Sequence, residues 1–229
     1  MVDPSEAWFL GRPPDNGTPL PVGWPHGLQS DTLRCARRRA SSPRVRRVTV
    51  TQPWTYEGAV ASNPGATVTL TGETTFCLSA ANGDILPGSA QGLFFLDTRF
   101  LSQLELFVDG HPTESLAQSD EQPYEGLFVV RPTGGTSLDP AVLVFRRRVV
   151  GRGMVERIEL RNYGREPAVV SVELAIGADF ADLFEVKEQR AQHPLEHSVT
   201  ETPMGMRFVG LPNGIPRRTT VRSTPPPDH

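Results

Sequence analysis

Asp179, Asp182 and Glu185 recur every three residues in the segment ADFADLFEV. Carboxylates held at a set separation can act as the acid and base of a hydrolytic reaction, provided their environments push their pKa values apart. On a short helix this spacing would line the three along one side. The same pattern also describes a solvated helix face, and the residues favour that reading. A second charged group lies in GLFFLDTRFLSQLELFVDG, residues 92–110, where Asp97 and Arg99 stand two apart between strand-like runs. Residues two apart in an extended segment share a face, so the two side chains are expected to pair. If that face is buried, the pair is a clamp rather than a catalytic element, because a guanidinium fork can hold carbonyls while the carboxylate neutralises it.

Other chemistry is thinly represented. His193 and His197 are four apart, but HPLEH has a proline inside and no further ligand spacing. Cys35 and Cys77 lack the CxxC or CxH neighbours of a zinc site. No Ser/His/Asp arrangement, dinucleotide fingerprint or phosphate loop is present. Trp54 or Tyr124 could offer an aromatic platform to a sugar ring, although a tryptophan at a strand start more often fills core or rim. No cofactor and no metal are expected.

The elements that must position these residues are almost all strands. VRRVTVT (45–51), ATVTL (66–70) and TTFCLSA (74–80) are short and β-branched, with turn residues between them. Asn82-Gly83 predicts a type I′ hairpin turn. From 141 to 178 the runs VLVFRRRVV, MVERIEL and VVSVELAIG alternate with period two. Met154, Ile158 and Leu160 are expected on one buried face, and Val170, Val172, Leu174 and Ile176 on another. Short turns between the three runs predict an antiparallel meander. ADFADLFEVKEQR is the one helical candidate, of one or two turns, with Asp179 as its N-cap. The expected fold is therefore mainly β: an antiparallel β-sandwich of roughly nine to twelve strands with one short helix.

The chain has 229 residues and a net charge of −3, which suits one sandwich domain and gives no general reason to expect nucleic acid. Residues 1–50 carry eight Arg against four carboxylates, a balance of +4 that leaves −7 on the rest. Residues 1–44 are rich in Pro and Arg without any sustained period, and are expected to be a disordered leader. Residues 45–215 form the expected domain, and 216–229 a disordered tail. No apolar run reaches the roughly 18 residues of a membrane helix. The N-terminus has no signal-peptide pattern, so a cytoplasmic protein with no membrane or nucleic-acid partner is expected.

The DTR stretch, with its GLF lead and FLS follow-on, resembles a signature of the N-terminal domain of bacterial glycogen debranching enzyme (amylo-α-1,6-glucosidase) family proteins. FRRRVVGRGMVERIELRNYGREPAVVSVELAIGADFADLFEVK resembles a second block of that family, and the order and spacing of the two agree. The resemblance covers about residues 55–210. It implies a supersandwich-like domain that packs on an (α/α)6 helical barrel carrying the acid and base for α-1,6-glucosidic bonds. No catalytic residue is carried over. Asp97, Arg99, Asp179 and Asp182 match motif positions and are the candidate substrate-binding residues, with a structural role favoured. The expected function is that of an accessory sandwich domain, a truncated form without its barrel, with the barrel as partner and a glucan as a further one. A free-standing carbohydrate-binding module and a small hydrolase using Asp179, Asp182 or Glu185 are the alternatives.

Overall fold

Val68 and Leu70 are buried while Thr67, Thr69 and Thr71 face water, and this period of two recurs at 75–79 and 125–130. In a computed structural model, which describes residues 6–9, 44–45, 67–134, 142–188 and 197–227, the pattern resolves into fifteen strands, one short α-helix and a 3-10 turn at Pro212–Gly214. The strands are β1 (Glu6–Phe9), β2 (Arg44–Val45), β3 (Val68–Gly72), β4 (Thr75–Ser79), β5 (Gly92–Phe95), β6 (Thr98–Leu101), β7 (Gln103–Val108), β8 (His111–Gln122), β9 (Glu125–Pro132), β10 (Val142–Val150), β11 (Met154–Asn162), β12 (Ser171–Gly177), β13 (His197–Thr202), β14 (Gly205–Gly210) and β15 (Arg217–Arg222). The helix α1 spans Leu183–Lys187.

Two sheets result. The small one has the order β3-β4-β5-β6. The large one runs β13-β14-β15-β1-β11-β10-β9-β8-β7-β12-β2. Consecutive strands joined by short turns pair antiparallel, as they must; the parallel pairings involve β1 and β2. One continuous core lies between the sheets, from Val68, Leu70, Cys77 and Leu93 on the small sheet to Phe128, Val144, Val150, Met154 and Phe208 on the large one. A second, smaller cluster lies on the other face of the small sheet. There Phe94 packs with Ala181 and Val186, flanked by Phe76, Leu78 and Leu183. The sandwich expected from the alternation is observed, with α1 as a patch over its smaller sheet.

Several local expectations are corrected. β10 and β11 form the expected hairpin, but β12 pairs with β7 rather than with β11. The connection through Asn162–Val170 carries the chain to another part of the large sheet, so the three runs are not a meander. Pro216 does not begin an irregular tail. Thr219, Thr220 and Val221 of β15 are buried, and β15 lies between β14 and β1. The domain therefore continues past residue 215. Asn82-Gly83 does not close a hairpin: β4 and β5 are joined by a longer connection in which Ile85 bridges to Leu104. The leader contributes β1 and β2 to the large sheet; otherwise its expected disorder, like the run 46–51, lies outside the described residues. Among the described residues no helix is long and apolar enough to cross a membrane, which says nothing of strands.

Candidate functional site

The two signature stretches meet in space. Leu96 and Asp97 form the two-residue turn between β5 and β6, flanked by the pair Phe95 and Thr98. Both have positive φ, 43° and 61°, as a tight I′-type turn requires. Asp97 is thus in a turn rather than an extended segment, its side chain is exposed, and the alternation that would have set it beside Arg99 does not apply. The expected Asp97–Arg99 clamp is replaced by another. Arg99, on β6, points inward and is 4% exposed. Its guanidinium closes on Asp179, with Nε 3.1 Å from Oδ1 and Nη2 2.5 Å from Oδ2. Its Nη1 donates to the carbonyls of Ser89 and Gln91 at 2.8 and 3.1 Å. Gly92 makes room for this side chain, since a Cβ there would lie 2.5 Å from Arg99 Cδ.

Backbone contacts complete the joint. Arg99 N–H donates to Ala181 O, and Leu183 N–H donates to Asp97 O, both at 2.8 Å. Thr98 and Asp182 form a bridge. Phe180, at φ 53°, turns inward and meets Phe100 edge-on at 5.9 Å. Asp182, not Asp179, caps α1: its Oδ1 accepts from Phe184 N–H at 2.8 Å, while Glu185 Oε2 accepts from Asp182 N–H at 3.1 Å. This reciprocal capping box satisfies two amides that the helix itself cannot.

The three carboxylates therefore do not form one catalytic row. Asp179 is buried with both oxygens held by a cation, and Asp182 and Glu185 are tied to helix amides at the surface. A general base needs a lone pair directed at a substrate proton. Asp97, Arg99, Asp179 and Asp182 are brought together, but as a rigid joint between the small sheet and α1. His197 begins β13 and Tyr124 lies half-buried between β8 and β9. Trp54, His193 and Cys35 lie outside the described residues.

A second charged cluster sits deeper and was missed in the sequence. Arg146 and Arg148, on β10, are wholly buried, with Arg147 between them exposed. Glu156 of β11 accepts from Arg146 Nε at 2.6 Å and from Arg148 Nε and Nη2 at 2.8 and 2.6 Å. Arg146 Nη1 also reaches Asp84 Oδ1 at 2.5 Å, and Arg148 Nη2 reaches Gly83 O at 2.5 Å. Asp84 in turn accepts from Leu106 N–H at 3.1 Å and from Asn82 Nδ2 at 2.7 Å. Two cations and two anions thus cancel inside the sandwich, and Asn82-Gly83-Asp84 is their cap. Burial alone would raise the Glu156 pKa, but the two guanidinium groups and their hydrogen bonds outweigh it and hold the carboxyl below the ordinary range. Burial drives the Cys77 thiol the other way, upward, against the pull of Arg148. The signal was available: Arg146, Arg148 and Glu156 are in phase with Val144, Val150 and Met154 on the inward face.

The buried members of both clusters are engaged with one another and with nearby carbonyls, and they fix the position of the loops that carry them. No curated protein matches the chain. The profile of a family described as the N-terminal domain of (some) glycogen debranching enzymes matches residues 70–229, from β3 through β15. That span holds both signature stretches, the joint they make and the buried cluster, and by it the chain belongs to the family of N-terminal domains of glycogen debranching enzymes.

Proposed function

We propose that this chain is the accessory sandwich of a glycogen-debranching, amylo-α-1,6-glucosidase-type glycoside hydrolase. It packs on an (α/α)6 catalytic barrel and does not hydrolyse glucan by itself. The observation that carries this reading is the commitment of the signature carboxylates: Asp179 to Arg99, Asp182 and Glu185 to the α1 amides. Groups so engaged hold shape, which is what a supporting domain requires. A cytoplasmic setting accompanies the proposal, and the free buried thiol of Cys77 fits a reducing compartment.

The test has two parts. Purified chain is incubated with glycogen and with a branched dextrin, and reducing ends are counted. It is then titrated against a separately expressed helical barrel of a bacterial debranching enzyme. No hydrolysis and a saturable association are expected. Hydrolysis that disappears in Asp179→Asn or Asp182→Asn would overturn the reading in favour of a small hydrolase. Tight glucan binding without barrel binding would favour a carbohydrate-binding module.

A further inference from the structure

The geometry points to the outer edge of β13 as a self-recognition surface, on which a second copy of this chain docks in an antiparallel, two-fold pairing with Val199 on the axis. The inference goes beyond the accessory-domain reading and does not depend on it. The two sheets have four ends, β13, β2, β3 and β6. A sheet end presents a row of unpaired amides and carbonyls, which proteins ordinarily cover or disrupt. β6 is covered: Arg99 N–H donates to Ala181 O, Leu183 N–H donates to Asp97 O, and Thr98 bridges to Asp182. β3 gives Thr71 N–H to Pro123 O at 2.6 Å. β2 is two residues long. β13 differs from all three. It has six residues, it runs in register with β14 without a bulge, and among the described residues no strand lies against its far side. It contains neither proline nor lysine, and Glu201 is its one carboxylate.

The hairpin fixes which backbone groups face outward. Pro203-Met204 is a two-residue turn that closes on Thr202 and Gly205. Such a turn closes on a hydrogen-bonded pair, and bonded and non-bonded pairs then alternate along the ladder. Thr202, Thr200 and Ser198 therefore spend their amides on β14. Glu201, Val199 and His197 direct N–H and C=O to the open side. Val199 is anchored, since its side chain packs on the main core opposite Phe208.

Charge and side-chain pattern select the occupant. With the two-fold axis at Val199, outward-directed groups meet outward-directed groups along 197–201. Val199 meets Val199 of the second copy. His197 stands opposite Glu201, twice, an imidazole N–H donor against a carboxylate acceptor. Ser198 stands opposite Thr200, also twice. Each is a favourable cross-strand combination. An axis at Thr200 would set Val199 against Glu201, and an axis at Glu201 would set the two carboxylates together. An in-register parallel pairing would also oppose the carboxylates. The strand is thus its own complement in one orientation and one register, and an isologous pairing covers both edges at once. Other segments of the chain answer less well. Residues 46–51 follow β2, at the opposite end of the sheet order, and 189–196 include Pro194, which has no amide to give to an edge.

Sedimentation of the full chain over a range of concentrations tests association, and cross-linking tests the register. Five residue pairs make a small interface, so a monomer–dimer equilibrium on the order of micromolar is expected. Glu201→Lys, at an exposed position, should weaken it by roughly fivefold or more, because the pair with His197 occurs twice. The urea midpoint verifies that this variant keeps its fold. In a Cys35→Ser background, Ser198→Cys is mixed with Thr200→Cys under mild oxidation. The Cα atoms of a non-hydrogen-bonded pair lie about 4.5 Å apart, within disulfide range. The mixture should therefore cross-link, and either variant alone should not, since its two cysteines would lie two residues out of register. Amide exchange at Val199 and Glu201 should slow as concentration rises. A parent chain that stays monomeric at high micromolar concentration overturns the inference; if those two amides are nevertheless slow at every concentration, the occupant is a segment of the same chain. A dimer that Glu201→Lys leaves intact and that the mixed cysteines fail to trap would mean that another surface pairs.

Discussion

Arg99 and Asp179, 80 positions apart in the chain, meet as a two-pronged ion pair that water scarcely reaches. Among the described residues each is the other's one salt-bridge partner, and each faces a low-dielectric surround if the other is removed. Asp179→Asn or Arg99→Met should therefore cost about 3–5 kcal/mol. Asp97→Asn, in the exposed turn, should cost less than about 1 kcal/mol. Urea unfolding of the singles and the double variant measures the coupling. Additive effects at positions 99 and 179 would show that the two act independently.

The deeper cluster should make the protein acid-sensitive. Glu156 titrates below its ordinary value in the folded chain, so its contribution is complete above that value and disappears as pH falls through the folded one. Urea midpoints taken from pH 7 down to about 3 should fall, and Glu156→Gln should lower the pH 7 midpoint while flattening the acid slope. Arg147→Ala, one residue from two buried arginines but itself exposed and 3.3 Å from Glu125, should change stability by about 1 kcal/mol at most.

Glu105 should behave oppositely. Burial raises its pKa, with the Asp84 charge adding to this and a hydrogen bond from Gln103 opposing it. The folded chain therefore releases that proton later than the unfolded one, and stability falls as pH rises from the ordinary carboxyl value through the folded one. Glu105→Gln should raise the urea midpoint at pH 7 and have little effect well below the ordinary carboxyl value. A lowered midpoint at pH 7 would show that the Gln103 contact matters more than the desolvated charge.

Gly92→Ala should be harmful out of proportion to one methyl group. The new Cβ would have to displace Arg99 Cδ, 2.5 Å away, and with it the fork on Asp179. Gly88→Ala, on the connection that leads into β5 and with open space around it, isolates the loss of left-handed freedom at φ 70°. Gly92→Ala should lower the melting temperature more than Gly88→Ala does; equal losses would mean that Arg99 adapts.

The β-sandwich was legible because period two governs β3, β4, β7 and β10 to β12 over enough residues to fix which face is inside. What alternation cannot fix is the partner of a strand: β12 has the same pattern whether it pairs with β11 or β7. Charged residues misled more than apolar ones. Arg146, Arg148 and Glu156 lie in phase with the core, yet charge argues for the surface unless a neutralising partner is foreseen, and Asp84 lies 62 positions from Arg146. Asp97 and Arg99 pair only if both lie in an extended segment, and one left-handed turn separates them. β15 was obscured by Pro216 and the Arg pair after it, although Thr219, Thr220 and Val221 are buried.

β15 has a kinetic consequence. Thr219 Oγ1 donates to Phe100 O across 119 positions, and Val221 joins the main core. During synthesis, β14 and β1 must wait with unpaired edges until the residues around 220 emerge. Long-range closure of this kind slows folding and exposes sticky strand edges meanwhile. The growing chain should therefore depend on holdase chaperones through most of its translation, and pausing codons before Arg217 should increase aggregation more than pausing codons after Arg222.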